Sequence, residues 1–196
     1  MDKEKLMLGK IREYHEGQTR QGGNAPYWFH CQSVGQIIRD ASERTGEAQG
    51  NEELFSNVFL AALGHDLYED TKISRQEILE SFGEKVDEYI EFMTNRFGEE
   101  NQKEFLDNIK KAPEEVWLIK LADLTENTIG GAYSIPFNDL KWTKDFLLPV
   151  MTNGQKEMNI VVFQKYAKTG NLLKEYLDFA INRLREHVEQ FEFIEK

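Results

Sequence analysis

The chain has 196 residues, 40% of them hydrophobic and 12% aromatic, which suits a single domain with one continuous core. It holds no apolar run near the ~20 residues of a membrane span, and its first residues, Met-Asp-Lys-Glu-Lys, lead into charged helical sequence instead of a secretory signal, so a cytoplasmic location is expected. A formal net charge of -11 argues against a nucleic-acid polymer as partner, since such partners need clustered Lys and Arg, but it allows a small anionic ligand if a bound cation supplies local positive charge.

The scarcity of proline, the absence of alternating β-type runs and the recurrent i, i+3, i+4 apolar spacing predict an all-α fold. In chain order the predicted helices cover 3–16, 27–47, 51–68, 74–81, 83–95, 100–111, 113–128, 137–149, 155–168 and 171–192. Between the first two lies a polar Gly-rich loop, Gln18 to Pro26. Cys31, the single cysteine, excludes an internal disulfide framework and a cysteine-based zinc cluster, and it reads as a small buried thiol. Ser74-Arg-Gln-Glu77 predicts a capping box, and Pro113 followed by Glu114 and Glu115 predicts another helix start. Ile129 to Pro136, around Gly130-Gly131, reads as a second irregular stretch. Beyond it, Phe137, Leu140, Phe146, Leu147 and Val150 carry the pattern of packing helices. With no repeat or linker to divide the chain, residues 1–196 are expected to form one unit.

The strongest chemical signal is Ala61-Ala-Leu-Gly-His-Asp-Leu-Tyr-Glu-Asp-Thr71, a largely apolar helix that runs into ionisable positions. Leu54, Val58, Ala61, Ala62, His65 and Glu69 follow one face, which directs the polar group inward. His65 and Glu69 are one turn apart, as are Asp66 and Asp70, so the four form one patch. Such a patch repels itself and is costly to bury unless a positive charge neutralises it, and a divalent cation is the simplest answer. Two other helices repeat the theme: His30 opens the stripe Val34, Ile37, Ile38, and Asp123 and Asn127 lie on the stripe Val116, Ile119, Lys120. A lone inward His or Asp is more often a satisfied core residue than a ligand. Here three helices aim such groups together, which favours a metal site.

These residues resemble the HD-domain phosphohydrolases, and more narrowly the hydrolase domain of the RelA/SpoT alarmone enzymes and the free-standing small alarmone hydrolases. The resemblance covers about residues 5–130. It rests on Pro26-Tyr27-Trp-Phe-His30, on Ala62-Leu-Gly-His65-Asp66-Leu-Tyr-Glu69-Asp70-Thr71, on Thr94, and on Ile119-Lys-Leu-Ala-Asp123-Leu-Thr-Glu-Asn127. It implies a compact HD-type helical bundle with residues 131–196 as variable helical support or lid. It also implies His30, His65, Asp66 and Asp123 as ligands of one divalent ion, usually manganese, Glu69 and Asp70 as catalytic acids, and Asn127 as a substrate contact. Where the family commonly reads Lys-Leu-Ala-Asp-Arg-Leu-His-Asn, this chain has Leu124 and Glu126, and the family's basic pair before the Pro-Tyr motif is here Arg20 with Gln21, beside Gly22-Gly23.

Phosphate needs cations besides the metal, and by position Arg20, Arg96 and Lys103 are the candidates, while Lys120 is placed to pair with a carboxylate. His15 and His187 lie outside the motif, so a second metal is not expected. The expected activity is a pyrophosphohydrolase acting on guanosine 3′,5′-bis(diphosphate), with no synthetase region following. The competing readings are a phosphomonoesterase acting on another nucleotide or phosphorylated dinucleotide, and a non-catalytic nucleotide- or metal-binding module. Self-association is left open.

Overall fold

The structure is a computed structural model that describes residues 2–20, 25–97, 101–135 and 140–194. Gln21, Gly22, Gly23, Pro136 and Phe137 lie outside the described residues. The helices are α1 (Lys3–Tyr14), α2 (Trp28–Thr45), α3 (Glu52–Gly64), α4 (Leu67–Asp70), α5 (Arg75–Phe82), α6 (Glu84–Met93), α7 (Gln102–Ile109), α8 (Glu114–Ser134), α9 (Leu140–Trp142), α10 (Leu148–Asn159) and α11 (Ala167–Ile194). A π-helical turn, Thr143–Leu147, joins α9 to α10. Among the described residues there is no strand, only an isolated bridge between Thr19 and Pro26, so the fold is all-α as expected. No helix among them is long and apolar enough to cross a membrane.

The core is built on α3, whose residues Val58 to Gly64 are all buried because the helix is covered by α1, α2, α6 and α8. A helix apolar on every side is stable only in such a central position. Around it, α2 ends at Gly46, whose φ of 71° is the left-handed conformation that glycine adopts without a Cβ penalty. α5 begins at Ser74, whose hydroxyl accepts from the Glu77 backbone N–H at 3.2 Å. Only half of the expected capping box forms: the Glu77 carboxylate is taken by Lys10 and by the Tyr14 hydroxyl at 2.7 Å, which ties α1 to α5.

Three expected boundaries are corrected. The helix predicted over 51–68 breaks at His65-Asp66. His65 Nδ1 donates to the Ala62 carbonyl at 2.9 Å, satisfying an end-of-helix acceptor. Beyond the break Glu69 is exposed on α4 and not on the inward stripe, while Leu67 of the same turn is buried. The stretch predicted as irregular after Ile129 is helical through Ser134. Gly130 and Gly131 serve there as points of close approach: a Cβ would stand 2.4 Å from the Arg20 guanidinium at Gly130 and 2.1 Å from Leu147 Cδ2 at Gly131.

The helix predicted over 155–168 stops at Asn159. The Glu114 carboxylate accepts the backbone N–H groups of Gln164 (2.8 Å), Lys165 (2.9 Å) and Tyr166 (3.3 Å), and Lys174 Nζ donates to the Val161 carbonyl at 2.6 Å, so tertiary partners replace the helical ladder. Of the packing pattern predicted around 137–150, Leu147 is buried, whereas Phe146 is 50% exposed. The intervening π turn changes the helical register that the sequence pattern assumed.

Candidate metal centre and its cleft

Four side chains from three separate segments meet at one point. His30 stands in the first turn of α2, His65 and Asp66 in the turn between α3 and α4, and Asp123 midway along α8. His30 Nε2 lies 3.1 Å from His65 Nε2, 3.3 Å from Asp66 Oδ2 and 3.4 Å from Asp123 Oδ1. His65 Nε2 lies 3.0 Å from Asp66 Oδ2 and 3.5 Å from Asp123 Oδ1. Atoms bound to a common ion at ~2.0–2.2 Å are separated by about 3.0–3.5 Å. His30, His65 and Asp123 are all buried.

The hydrogen bonds on the outer side of the cluster fix what its inner side presents. His65 Nδ1 faces the Ala62 carbonyl, which can only accept, so this nitrogen carries a proton. His30 Nδ1 faces the Glu126 carboxylate and does the same. In the neutral imidazoles both Nε2 atoms are therefore bare lone pairs, directed at each other and at two carboxylates. A group of four acceptors at these distances is repulsive on its own, and the chemistry of the set fits a divalent cation. Without a cation the cluster is balanced by protons. Burial opposes charge on both rings, but Asp123, Asp66 and Glu126 outweigh it at His30, and Asp66 and Asp123 hold His65 up to about 9. Burial likewise disfavours the charged acids, yet the histidines keep Asp66 far below the usual carboxylate range, and Lys120 with the histidines does so for Asp123.

The surrounding groups hold the acids in place. The Tyr27 hydroxyl donates to Asp66 Oδ2 at 2.8 Å, Lys120 Nζ to Asp123 Oδ2 at 2.8 Å, and Asn127 Nδ2 to Asp123 Oδ1 at 2.7 Å. Glu126 also pairs with Arg20 at 2.9 Å, and Arg20 reaches Asn127 Oδ1 at 3.2 Å. The sequence marked Glu126 only as a departure and gave Tyr27 no role. The available signal was spacing, since Glu126 is three residues beyond Asp123 and shares its helical face.

The other predicted residues are dispersed. Glu69 and Asp70 are exposed on α4, one turn past the cluster. Partial burial and the charge of Asp66 raise both, although the Asn95 backbone N–H, donating to Glu69 at 2.7 Å, works against this. Arg96 is exposed and held in a two-bond pair by Glu91 (2.8 and 2.7 Å), and Lys103 is exposed on α7. The structure therefore does not bring these two cations into the cluster. Thr94 is buried, and its hydroxyl donates to the Ile90 carbonyl at 2.9 Å. Cys31 is buried as expected, its Sγ 3.8 Å from His15 Nε2, and His15 is pinned by Gln18 at 2.7 Å. His187 faces the Ala132 carbonyl at 3.4 Å on the opposite end of α8.

Two cavities flank the cluster. The larger, about 550 Å³, runs from His30 and Asn127 past Tyr27, Phe29, Tyr133 and Trp142. The smaller, about 400 Å³, reaches Asp123, Asn127 and Lys120 from the side of α10.

The bifunctional (p)ppGpp synthase/hydrolase SpoT of Escherichia coli (strain K12) is 32% identical over 126 residues, covering 59% of this chain and 16% of SpoT. The chain is similar to SpoT. The guanosine-3′,5′-bis(diphosphate) 3′-pyrophosphohydrolase of Haemophilus influenzae is also 32% identical over 126 residues, and that of Vibrio cholerae is 31% identical over 125. The chain spans about one sixth of the length of these curated relatives. The solved structure of a metazoan ortholog of SpoT, described as hydrolysing ppGpp and playing a role in starvation responses, superposes with a TM-score of 0.74 at 21% identity. That match covers 93% of this chain and 96% of the other, so the two share a fold. No family model matches the chain. The SpoT-like resemblance carried by the motifs is thus found again over 59% of this chain in sequence, and the fold over 93% of it in structure.

Proposed function

We propose that this protein is a phosphohydrolase that holds one divalent ion, manganese, on His30, His65, Asp66 and Asp123 and removes the 3′-diphosphate from guanosine tetraphosphate or pentaphosphate. The observation that carries the reading is the convergence of the His30 and His65 Nε2 atoms, each 3.0–3.5 Å from a carboxylate oxygen of Asp66 and of Asp123, beside an open cavity. Similarity to the guanosine-3′,5′-bis(diphosphate) 3′-pyrophosphohydrolases supports the choice of substrate. The ion, when bound, lowers the pKa of a coordinated water and stabilises charge on phosphoryl oxygens.

The remaining work falls to side chains. In hydrolysis, a water oxygen bonds to the phosphorus on the 3′ oxygen, that P–O bond breaks, pyrophosphate leaves, and the 3′ oxygen takes up a proton. Glu69 and Asp70, both with raised proton affinity and both open to solvent, receive the proton from water and return one to the leaving oxygen. Asn127, bonded to Asp123 and lining both cavities, orients the substrate, and Arg20 faces it from the loop before α2. Residues 131–196 form a support: α11 packs along α8 and fixes the helix that presents Asp123. With this support the whole chain acts as one domain, and we place it in the cytoplasm.

The test is a panel of nucleotides incubated with purified protein and manganese, with Asp66→Ala and Glu69→Ala as controls. Release of pyrophosphate from guanosine tetraphosphate by wild type alone is the expected result. Orthophosphate alone would point to a phosphomonoesterase. Identical behaviour of wild type and both controls on every compound would end the enzymatic reading.

A further inference from the structure

The clefts beside the metal cluster carry little positive charge to spare. In the larger, the cation among the lining residues is Arg20, and it is already paired with Glu126 at 2.9 Å and bonded to Asn127. In the smaller it is Lys120, bound to Asp123 at 2.8 Å and standing 5.0 Å from the centre of the Phe105 ring. Arg96 is engaged by Glu91, and Lys103 lines neither cavity. The internal segments outside the described residues, 21–24, 98–100 and 136–139, contain neither Lys nor Arg.

Each wall thus pairs its cation with an acid, inside a chain of net charge -11. A phosphate held by the ion has its counter-charge. A second phosphate group at the far end of a nucleotide meets a wall with none left over, and phosphate recognition depends on cationic partners. What the larger wall does offer is aromatic surface, from Tyr27, Phe29, Tyr133 and Trp142. Such faces stack on the π-face of a base and need no charge on the ligand.

We infer that, among nucleotides bearing a 3′-diphosphate, this cleft selects those with the least phosphate at the 5′ position. The inference rests on the hydrolase reading above and narrows its substrate class. Charge drives the preference, so it is strongest at low ionic strength and narrows as salt screens the walls.

The experiment measures kcat/KM with manganese for guanosine 3′-diphosphates carrying none, one, two or three 5′-phosphoryl groups, at about 20 and 300 mM salt. The expected series falls by about tenfold or more from none to three at low salt and flattens at high salt. Ser134 lines the larger cavity and is not one of the four cluster residues, so Ser134→Lys, which adds a cation to that wall, is expected to raise the 5′-diphosphate relative to the 5′-hydroxyl compound. A series that is flat or rising at low salt overturns the inference and leaves the hydrolase reading standing. If no member releases pyrophosphate, the reading itself fails and the inference with it.

Discussion

The proton balance of the cluster makes stability depend on pH in a way that only an ion can remove. In protein stripped of divalent ions, His65 is held up to about 9 from an ordinary value of 6.5. A group whose affinity for protons is higher in the folded state stabilises the fold fully below its unfolded value and ceases to do so as pH rises through its folded value. With about 1.4 kcal/mol for each tenfold change in proton affinity, the step from 6.5 to about 9 is on the order of 3 kcal/mol for His65, and His30 contributes with the same sign. Asp66 and Asp123 stay charged throughout this window, so they do not offset it. For a chain of 196 residues a loss of this size lowers Tm by about 6–12 °C between pH 6 and pH 9. Manganese binds the deprotonated rings, so its stabilisation is smallest at pH 6 and largest at pH 9; at a hundredfold excess over Kd it reaches about 2.7 kcal/mol. The assay is thermal unfolding in EDTA and in manganese across that range, with His65→Gln as the control that lacks the His65 share of the step. A Tm in EDTA that does not fall from pH 6 to pH 9, or a manganese effect equal at both ends, would refute the argument.

Three further outcomes are expected. Glu126→Ala removes the acceptor for His30 Nδ1 and the partner of Arg20, so manganese affinity by titration calorimetry should fall by about 10–100-fold while the far-UV spectrum is retained. Glu69→Gln and Asp70→Asn should each lower kcat by about 10²–10⁴-fold, with manganese Kd nearly unchanged, since both acids lie on α4 outside the four-residue cluster. Gly131→Ala places a Cβ 2.1 Å from Leu147 Cδ2, and the forced repacking of α8 against the π turn should cost about 1–3 kcal/mol in denaturant unfolding.

Much of this protein was legible from residue spacing. Apolar positions at i, i+3 and i+4 disclosed the helical class, and the surplus of ionisable groups at His65-Asp66, with inward His30 and Asp123, marked the residues that the structure brings together. These are local properties, set by side-chain period and by the cost of burying charge. One local contact also escaped the periodic reading: the His65 ring bonds the Ala62 carbonyl three residues back where the helix ends, and Glu69 and Asp70 beyond it are exposed. Tertiary structure decided the rest. The helix after Asn159 ends because Glu114, some 50 residues away, captures three backbone N–H groups. Glu126 became the anchor of His30 through a contact across 96 positions of sequence. Partners so distant leave no periodic trace along the chain, because they are chosen by how the helices pack and not by the propensity of any one of them.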